Sequence, residues 1–224
     1  MKFYAVKAGR VPGIYETWAE CKEQIYQYSG AVFKGFETKE EAAAFLDDDN
    51  REEINESLPY AYVDGSYKRD PARYGYGGYI VNGNQRHIIQ GTGNSAAFLP
   101  DRNIAGEAVG ALRILHEAIR LRIRELNLYF DYAGLEQWAR GSWKAKTALS
   151  IYYRDMVDLL SDDIKVNFIH VKGHTGIEGN EIADYLAKEA VGAKLRKKDI
   201  AALEAFRQGA ADPAAERSEG SITQ

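Results

Sequence analysis

Apolar and polar residues alternate over residues 3–8, which predicts a short strand. Gly9 to Gly13, with Pro12 between them, predicts a turn, and Ile14 to Trp18 a second strand. Thr17 has Glu20 three residues on, the pattern of a capping box, and predicts a helix through Tyr28 closed by Gly30. A third strand is expected over residues 31–36. Thr38, again with a glutamate (Glu41) at the third position, predicts a second capped helix to Leu46. The first 46 residues thus read β-β-α-β-α.

A longer pattern follows. Tyr60–Tyr67, Gly75–Asn82 and Arg86–Gly91 alternate as strands, separated by Gly-rich and Asn-rich turns. Helical spacing covers Ile104–Arg122, a strand Leu126–Asp131, and helices Leu135–Arg140 and Thr147–Leu160. A strand Lys165–Lys172 and a helix Gly179–Val191 complete the series. Three successive strands, then alternating helix and strand, predict an α/β fold with a mixed sheet and helices on its faces. After Gly192, the residues Ile200, Leu203 and Phe206 fall in helical register. From Gly209 the composition is Ala/Ser/Glu-rich and predicts disorder.

Composition adds bounds rather than detail. Hydrophobic residues make up 45% and charged residues 28% of the 224, as in soluble globular chains. Cys21 is the single cysteine and has no partner for a disulfide within the chain, which fits a reducing compartment. No apolar run approaches the ~20 residues of a membrane span, and no apolar signal core follows Met1. A cytoplasmic location without a membrane partner is the expectation, and protein partners are left open.

Charge is unevenly placed. The net charge is −4, but residues 1–46 carry six basic and six acidic side chains and residues 59–192 carry sixteen of each. Residues 47–58 carry one basic and six acidic side chains. Like charges resist compaction, so residues 47–57 read as a solvated linker. The expected organisation is a module over 1–46, a linker over 47–57, a larger domain over 58–192 and a partly disordered tail over 193–224. A pI of about 5.7 argues against a nucleic-acid partner for the chain as a whole. Confining the acidic excess to the linker removes that objection without replacing it by positive evidence.

Four carboxylates sit where apolar neighbours make them costly. Asp64 ends Tyr60-Ala61-Tyr62-Val63, and Asp131 follows Leu128-Tyr129-Phe130. Glu107 shares a helix face with Ile104, Ala111 and Ile114, and Asp184 one with Ala187 and Val191. Each alone can be a cap, a turn residue or a satisfied helix-edge acid. Two of them stand at strand ends, where ligands of open α/β sheets collect. Together they suggest a concentration of negative charge of the kind that holds hard divalent cations through oxygen. Two such ions ~4 Å apart can activate water and stabilise a leaving oxygen in phosphodiester cleavage. Nearby in sequence, glycines bracket His174, a side chain able to shuttle protons near neutral pH. His87, His116 and His170 lack that setting and read as structural.

Five segments occur in order: Tyr62-Val63-Asp64-Gly65-Ser66, Asn103 through Gly106-Glu107, Phe130-Asp131, Lys172-Gly173-His174-Thr175-Gly176, and Asn180-Glu181-Ile182-Ala183-Asp184. Their order and spacing over residues 59–192 resemble the type 1 ribonuclease H family. The resemblance implies a ribonuclease H-like mixed five-stranded sheet with flanking helices. It implies an endonuclease that cuts the RNA strand of RNA–DNA hybrids and leaves 5′-phosphate and 3′-hydroxyl ends. It implies Asp64, Glu107, Asp131 and Asp184 as ligands of two Mg2+ ions, with Mn2+ as the alternative ion. His174 matches a mobile histidine that assists proton transfer or product departure.

Gly65, Ser66, Asn103 and Arg102 are the substrate contacts expected beside the acids. Trp138 and Trp143, with Lys144 and Lys146 close by, are candidates for a channel for the DNA strand, and core filling is the alternative for Trp138. The chain departs from the family pattern at Ile104, where a second amide is common, and at Arg102, where a threonine is common. The stretch from Asp131 to Trp138 also lacks the basic insertion that several members carry.

The first 46 residues resemble the ribonuclease H hybrid-binding, or viroplasmin-like, domain in Tyr4-Ala5-Val6-Lys7, Gly9-Arg10, Pro12-Gly13-Ile14-Tyr15, Trp18, Glu20-Cys21 and Phe33-Lys34-Gly35-Phe36. The resemblance implies a small three-stranded α/β unit that binds RNA–DNA hybrids and, more weakly, double-stranded RNA. Tyr4, Trp18, Phe33 and Lys34 match contacting positions, and Gly35 stands where a second lysine is common. Phe3, Val6, Ile25, Val32, Phe36 and Phe45 read as core. Two other classes compete with the nuclease: a non-catalytic protein on a ribonuclease H-like fold that binds hybrid or double-stranded RNA, and a related nuclease or integrase of different reaction. Four intact acids weigh against the first, and the glycine-flanked His174 with the N-terminal module against the second.

Overall fold

The computed structural model describes residues 2–28, 30–47, 54–171 and 178–209, divided between two compact units, Met1–Asn55 and Glu56–Gln224. In the first unit, β1 (Phe3–Ala8) is the middle strand of an antiparallel sheet, between β2 (Gly13–Tyr15) and β3 (Val32–Phe36). Helices α1 (Trp18–Ile25) and α2 (Lys39–Asp47) complete it. Both predicted capping boxes form. Thr17 Oγ1 accepts the Glu20 N–H, and the Glu20 carboxylate accepts the Thr17 N–H. Thr38 and Glu41 exchange the same pair of bonds.

Two boundaries differ from expectation. The second strand stops at Tyr15, because the Thr17 box commits Trp18 to the first turn of α1. That helix ends at Ile25, short of Tyr28. Arg10, on the turn after β1, closes it: its backbone N–H reaches the Gln24 carbonyl, and its Nη1 the carbonyls of Glu23 and Tyr26 at 2.8 and 2.7 Å. Those are the carbonyls a helix end leaves without partners. Ala5, Val6, Cys21 and Ala42 form the buried centre, and Phe36 packs on Phe45 of α2 with ring centroids 5.3 Å apart.

The second unit carries the mixed sheet. Its strands are β4 (Tyr60–Arg69), β5 (Ala72–Asn82), β6 (Gln85–Gly93), β7 (Glu125–Phe130) and β8 (Lys165–His170), in the spatial order β6-β5-β4-β7-β8. The first three pair antiparallel, and β4, β7 and β8 run parallel. Helices α3 (Asn103–Arg120), α4 (Gly134–Ala139), α5 (Ala148–Leu160) and α6 (Glu178–Ala190) flank it. The strand expected to reach Lys172 ends at His170, and Lys172 lies outside the described residues.

Period-two alternation gives β4 a different core on each side. Val63 joins Ala108, Ile114 and Leu115 of α3, whereas Tyr62 joins Ile182, Ala183 and Leu186 of α6. Glycines on β5 let the helices approach. A Cβ at Gly77 would stand 2.1 Å from the Ala187 nitrogen, and one at Gly78 2.9 Å from Ile114 Cδ1.

Beyond Gly192 the chain forms a further helix, α7 (Lys197–Arg207). Leu203 and Phe206 are buried against the α6 side, and the Phe206 ring lies 4.6 Å from that of Tyr79. Ile200, in the same predicted register, is 44% exposed. This stretch, expected as the start of a tail, is part of the core; the Ala/Ser/Glu-rich residues 210–224 lie outside the described residues.

Candidate active site

Strand register determines where the acids gather. β4 and β7 pair over only three positions, from Tyr60 with Asn127 to Tyr62 with Tyr129. Asp64 and Asp131 each lie two residues past the last pair, side by side where the strands part. Gly65 faces α3: a Cβ there would be 2.0 Å from the Asn103 carbonyl oxygen and 2.4 Å from the Glu107 nitrogen. Without a side chain at that point, the first turn of α3 rests against β4 and brings Glu107 with it. The Glu107 Oε1 then accepts the backbone N–H groups of Asp131 and Tyr132, each at 3.1 Å.

The result is a cluster in which carboxylate oxygens of Asp64, Glu107 and Asp131 lie within 4.8 Å of one another. Asp64 is 8% and Glu107 2% exposed. Burial pushes the Asp64 carboxyl well above the ordinary range, and Asp131 and Asp184 push it further; the Gly65 N–H on Oδ1 and the nearby Lys188 offset part of that. Glu107 is raised in the same direction, by burial first and then by Asp131 and Asp64, against the two backbone N–H groups it accepts. When ionised, carboxylates held this way repel one another. An all-oxygen donor set of high negative charge is the environment that suits a hard divalent cation.

A pocket of about 410 Å³ opens over the cluster. Asp64 and Asp131 line it, as does Asp184 from α6. Gly65, Ser66, Arg102 and Asn103 line it too; Arg102 and Asn103 are exposed, and Arg102 has φ +52° at the entrance to α3. Tyr67 and Lys188 complete the wall. Neither was singled out from the sequence, although Lys188 stands one helical turn beyond Asp184, a spacing that brings two side chains together. His174 lies outside the described residues. His170, read as structural, places Nε2 2.9 Å from the Asp131 carbonyl oxygen.

The two tryptophans take different positions, and Trp138 follows the core-filling alternative. Trp138 is 8% exposed and belongs to the α3-side core, with ring neighbours Tyr132 at 5.4 Å and Tyr153 at 6.3 Å. It fills the core between α4 and α5 and offers no face to a DNA strand. Trp143 is half-buried against the same core, and its backbone N–H bonds to the Gln137 carbonyl.

In the first unit, Tyr4, Trp18 and Phe33 form one aromatic surface. Trp18, 46% exposed, stands between the other two rings at 5.5 and 5.8 Å. Tyr4 is the cross-strand partner of Gly35, and its ring lies over the space a Gly35 side chain would enter. Lys34, next to Phe33 on the strand, alternates to the other face, where its Nζ lies 5.6 Å from the centroid of the Phe36 ring.

A family model described as RNase H matches residues 57–192, and one described as Ribonuclease H1 N-terminal domain matches residues 2–46. Ribonuclease H1 of Homo sapiens is 28% identical over an alignment of 253 residues, which spans 84% of this chain and 88% of that protein. Ribonuclease H of Saccharomyces cerevisiae is 52% identical over 48 residues, 21% of this chain and 14% of that protein. The solved RNase H1 of the halophilic archaeon Halobacterium salinarum NRC-1 aligns with 60% of this chain and 97% of its own at 24% identity, with a TM-score of 0.49.

Proposed function

The chain belongs to the ribonuclease H family, and from that premise we propose that it hydrolyses the RNA strand of RNA–DNA hybrids with two Mg2+ ions, leaving 5′-phosphate and 3′-hydroxyl ends. The observation that carries this reading is the cluster of three carboxylates within 4.8 Å, on a pocket that Asp184 also lines. Asp64, Glu107, Asp131 and Asp184 would hold the cations, with Mn2+ as a substitute. When bound, such ions supply the positive charge that lowers the pKa of an attacking water and stabilises the leaving 3′-oxygen.

The protein's own groups position the substrate. The two N–H bonds on Oε1 fix the Glu107 carboxylate, so its remaining oxygen can face the ribose and cation side. Ser66 and Asn103 offer hydroxyl and amide groups to the minor-groove edge, where 2′-hydroxyls distinguish RNA from DNA. The Arg102 guanidinium suits a backbone phosphate. His174 is assigned proton transfer or product departure by resemblance alone. The Tyr4–Trp18–Phe33 surface offers ring faces to sugars and bases, with RNA–DNA hybrid as its ligand and double-stranded RNA as a weaker one.

Cleavage of hybrid, duplex DNA and duplex RNA, each with and without magnesium, tests the reading. The hybrid alone should be cut, and only with the cation. Asp131→Asn should abolish cutting while hybrid binding persists. Normal cleavage by that variant sinks the site assignment. Removal of residues 1–46 should weaken hybrid affinity more than single-turnover cleavage, and unchanged affinity would count against a binding role for the module.

A further inference from the structure

Asp64, Glu107 and Asp131 form the compact cluster, and Asp184 is held differently. Asp184 Oδ2 accepts a hydrogen bond from Lys188 Nζ at 2.6 Å. An i,i+4 pair on an open helix face is a weak and solvated interaction. This pair is not on an open face: the Asp184 side chain is 15% exposed, and both residues line the pocket with Asp64 and Asp131. The ammonium therefore lies in the field of several carboxylates, on the side of the pocket where Asp184 stands.

We propose that Lys188 is the resident counter-ion of this pocket and competes with a divalent cation for Asp184. The proposal rests on the metal-binding reading of the site given above. Asp184 Oδ2 cannot keep the ammonium at 2.6 Å and also coordinate a cation on the same lone pairs, and two positive charges a few ångströms apart repel. Cation entry on the Asp184 side must therefore release Lys188. Its side chain is 40% exposed, so the four-carbon stem has solvent to turn into. Lys188 thus sets how much divalent cation is needed to occupy the Asp184 side of the pocket.

Calorimetric titration of Mg2+ into the full-length, metal-free protein without substrate tests this, at low salt where such charges are least screened. Lys188→Met should tighten Mg2+ binding about three- to ten-fold, and Lys188→Arg should stay near wild type because the charge is kept. In an Asp184→Asn background the gain from Lys188→Met should vanish. Unchanged or weaker binding in Lys188→Met, or the same gain with Asp184→Asn, overturns the proposal. If wild type binds no Mg2+, or binds it equally well after Asp64→Asn, the metal-binding reading itself fails, and the proposal with it.

Discussion

Gly77→Ala is the smallest change that should reach the pocket without touching it. The new Cβ on β5 would lie 2.1 Å from the Ala187 nitrogen, 2.5 Å from Leu186 Cβ and 2.6 Å from the Ala183 carbonyl oxygen. Ordinary contact begins at 3.4 Å, so α6 and the sheet must separate by roughly 1.3 Å. Two of the three obstructing atoms are helix backbone, which no rotamer change can move. Overpacking of this kind costs about 1–3 kcal/mol. The displaced segment of α6 adjoins Asp184, and a shift of about 1 Å in a reacting geometry can cost on the order of a hundredfold in rate. Urea unfolding followed by circular dichroism measures the first effect, and single-turnover hybrid cleavage at saturating magnesium the second. Gly35→Ala is a matched control: its Cβ would meet only Tyr4 ring carbons at 3.5 and 3.6 Å, and it lies in the other unit. If Gly77→Ala unfolds within 0.5 kcal/mol of wild type and cuts at the wild-type rate, the close seating of α6 does not position Asp184.

Three further outcomes are expected. In EDTA, at a pH high enough to ionise Asp64, Asp64→Asn should stabilise the protein, because it removes a buried carboxylate crowded by Asp131 and Asp184. The Asp64 and Glu107 carboxyls hold protons more tightly folded than unfolded, so wild-type stability relative to Asp64→Asn should fall as pH rises from the ordinary carboxylate range through the raised folded value; a gap that stays flat in thermal unfolding from pH 4 to 8 refutes this. Gly35→Lys, with room for its Cβ beside the Tyr4 ring, should raise hybrid affinity and steepen the salt dependence of log K by about 0.9, read by fluorescence anisotropy across a salt series. Phe206→Ala, which empties a buried ring site against Tyr79, should cost about 3–5 kcal/mol in chemical unfolding, and a loss below 1 kcal/mol would show that α7 is dispensable to the core.

What the sequence disclosed depended on how local the cause was. The Thr17–Glu20 and Thr38–Glu41 boxes close within three residues, and both appear where the pattern puts them. The end of α1 was misread because Arg10, thirteen to sixteen residues away, supplies the capping hydrogen bonds. Leu203 and Phe206 were in register, but only the folded chain reveals the α6-side surface they cover. Trp138 stood near lysines in sequence, and an aromatic beside cations reads equally well as a nucleic-acid platform or as core; tertiary packing decided for core. Lys188 gives no such signal, because a lysine on an amphipathic helix reads as solvated, although its spacing from Asp184 is present in the sequence.

The acids were legible for the opposite reason: they contradict their apolar surroundings, and the fold makes the contradiction sharper. The two residues before Asp64 are committed to different cores, Tyr62 toward α6 and Val63 toward α3, so the strand cannot turn to expose the carboxylate without breaking one of them. The site is rigid because β4 is buried on both faces, and it is unstable on its own because that burial concentrates charge. Cation binding relieves the charge only in the folded state, since the four acids are far apart in the unfolded chain. Stability and metal occupancy are then one linked equilibrium: Mg2+ at a hundred times its Kd should add about 2.7 kcal/mol. Asp64→Asn should remove the repulsion and most of this gain together, leaving a protein firmer without magnesium and nearly indifferent to it. A variant that gained metal-free stability yet kept the full magnesium increment would separate the two effects and show that the strain at Asp64 has another origin.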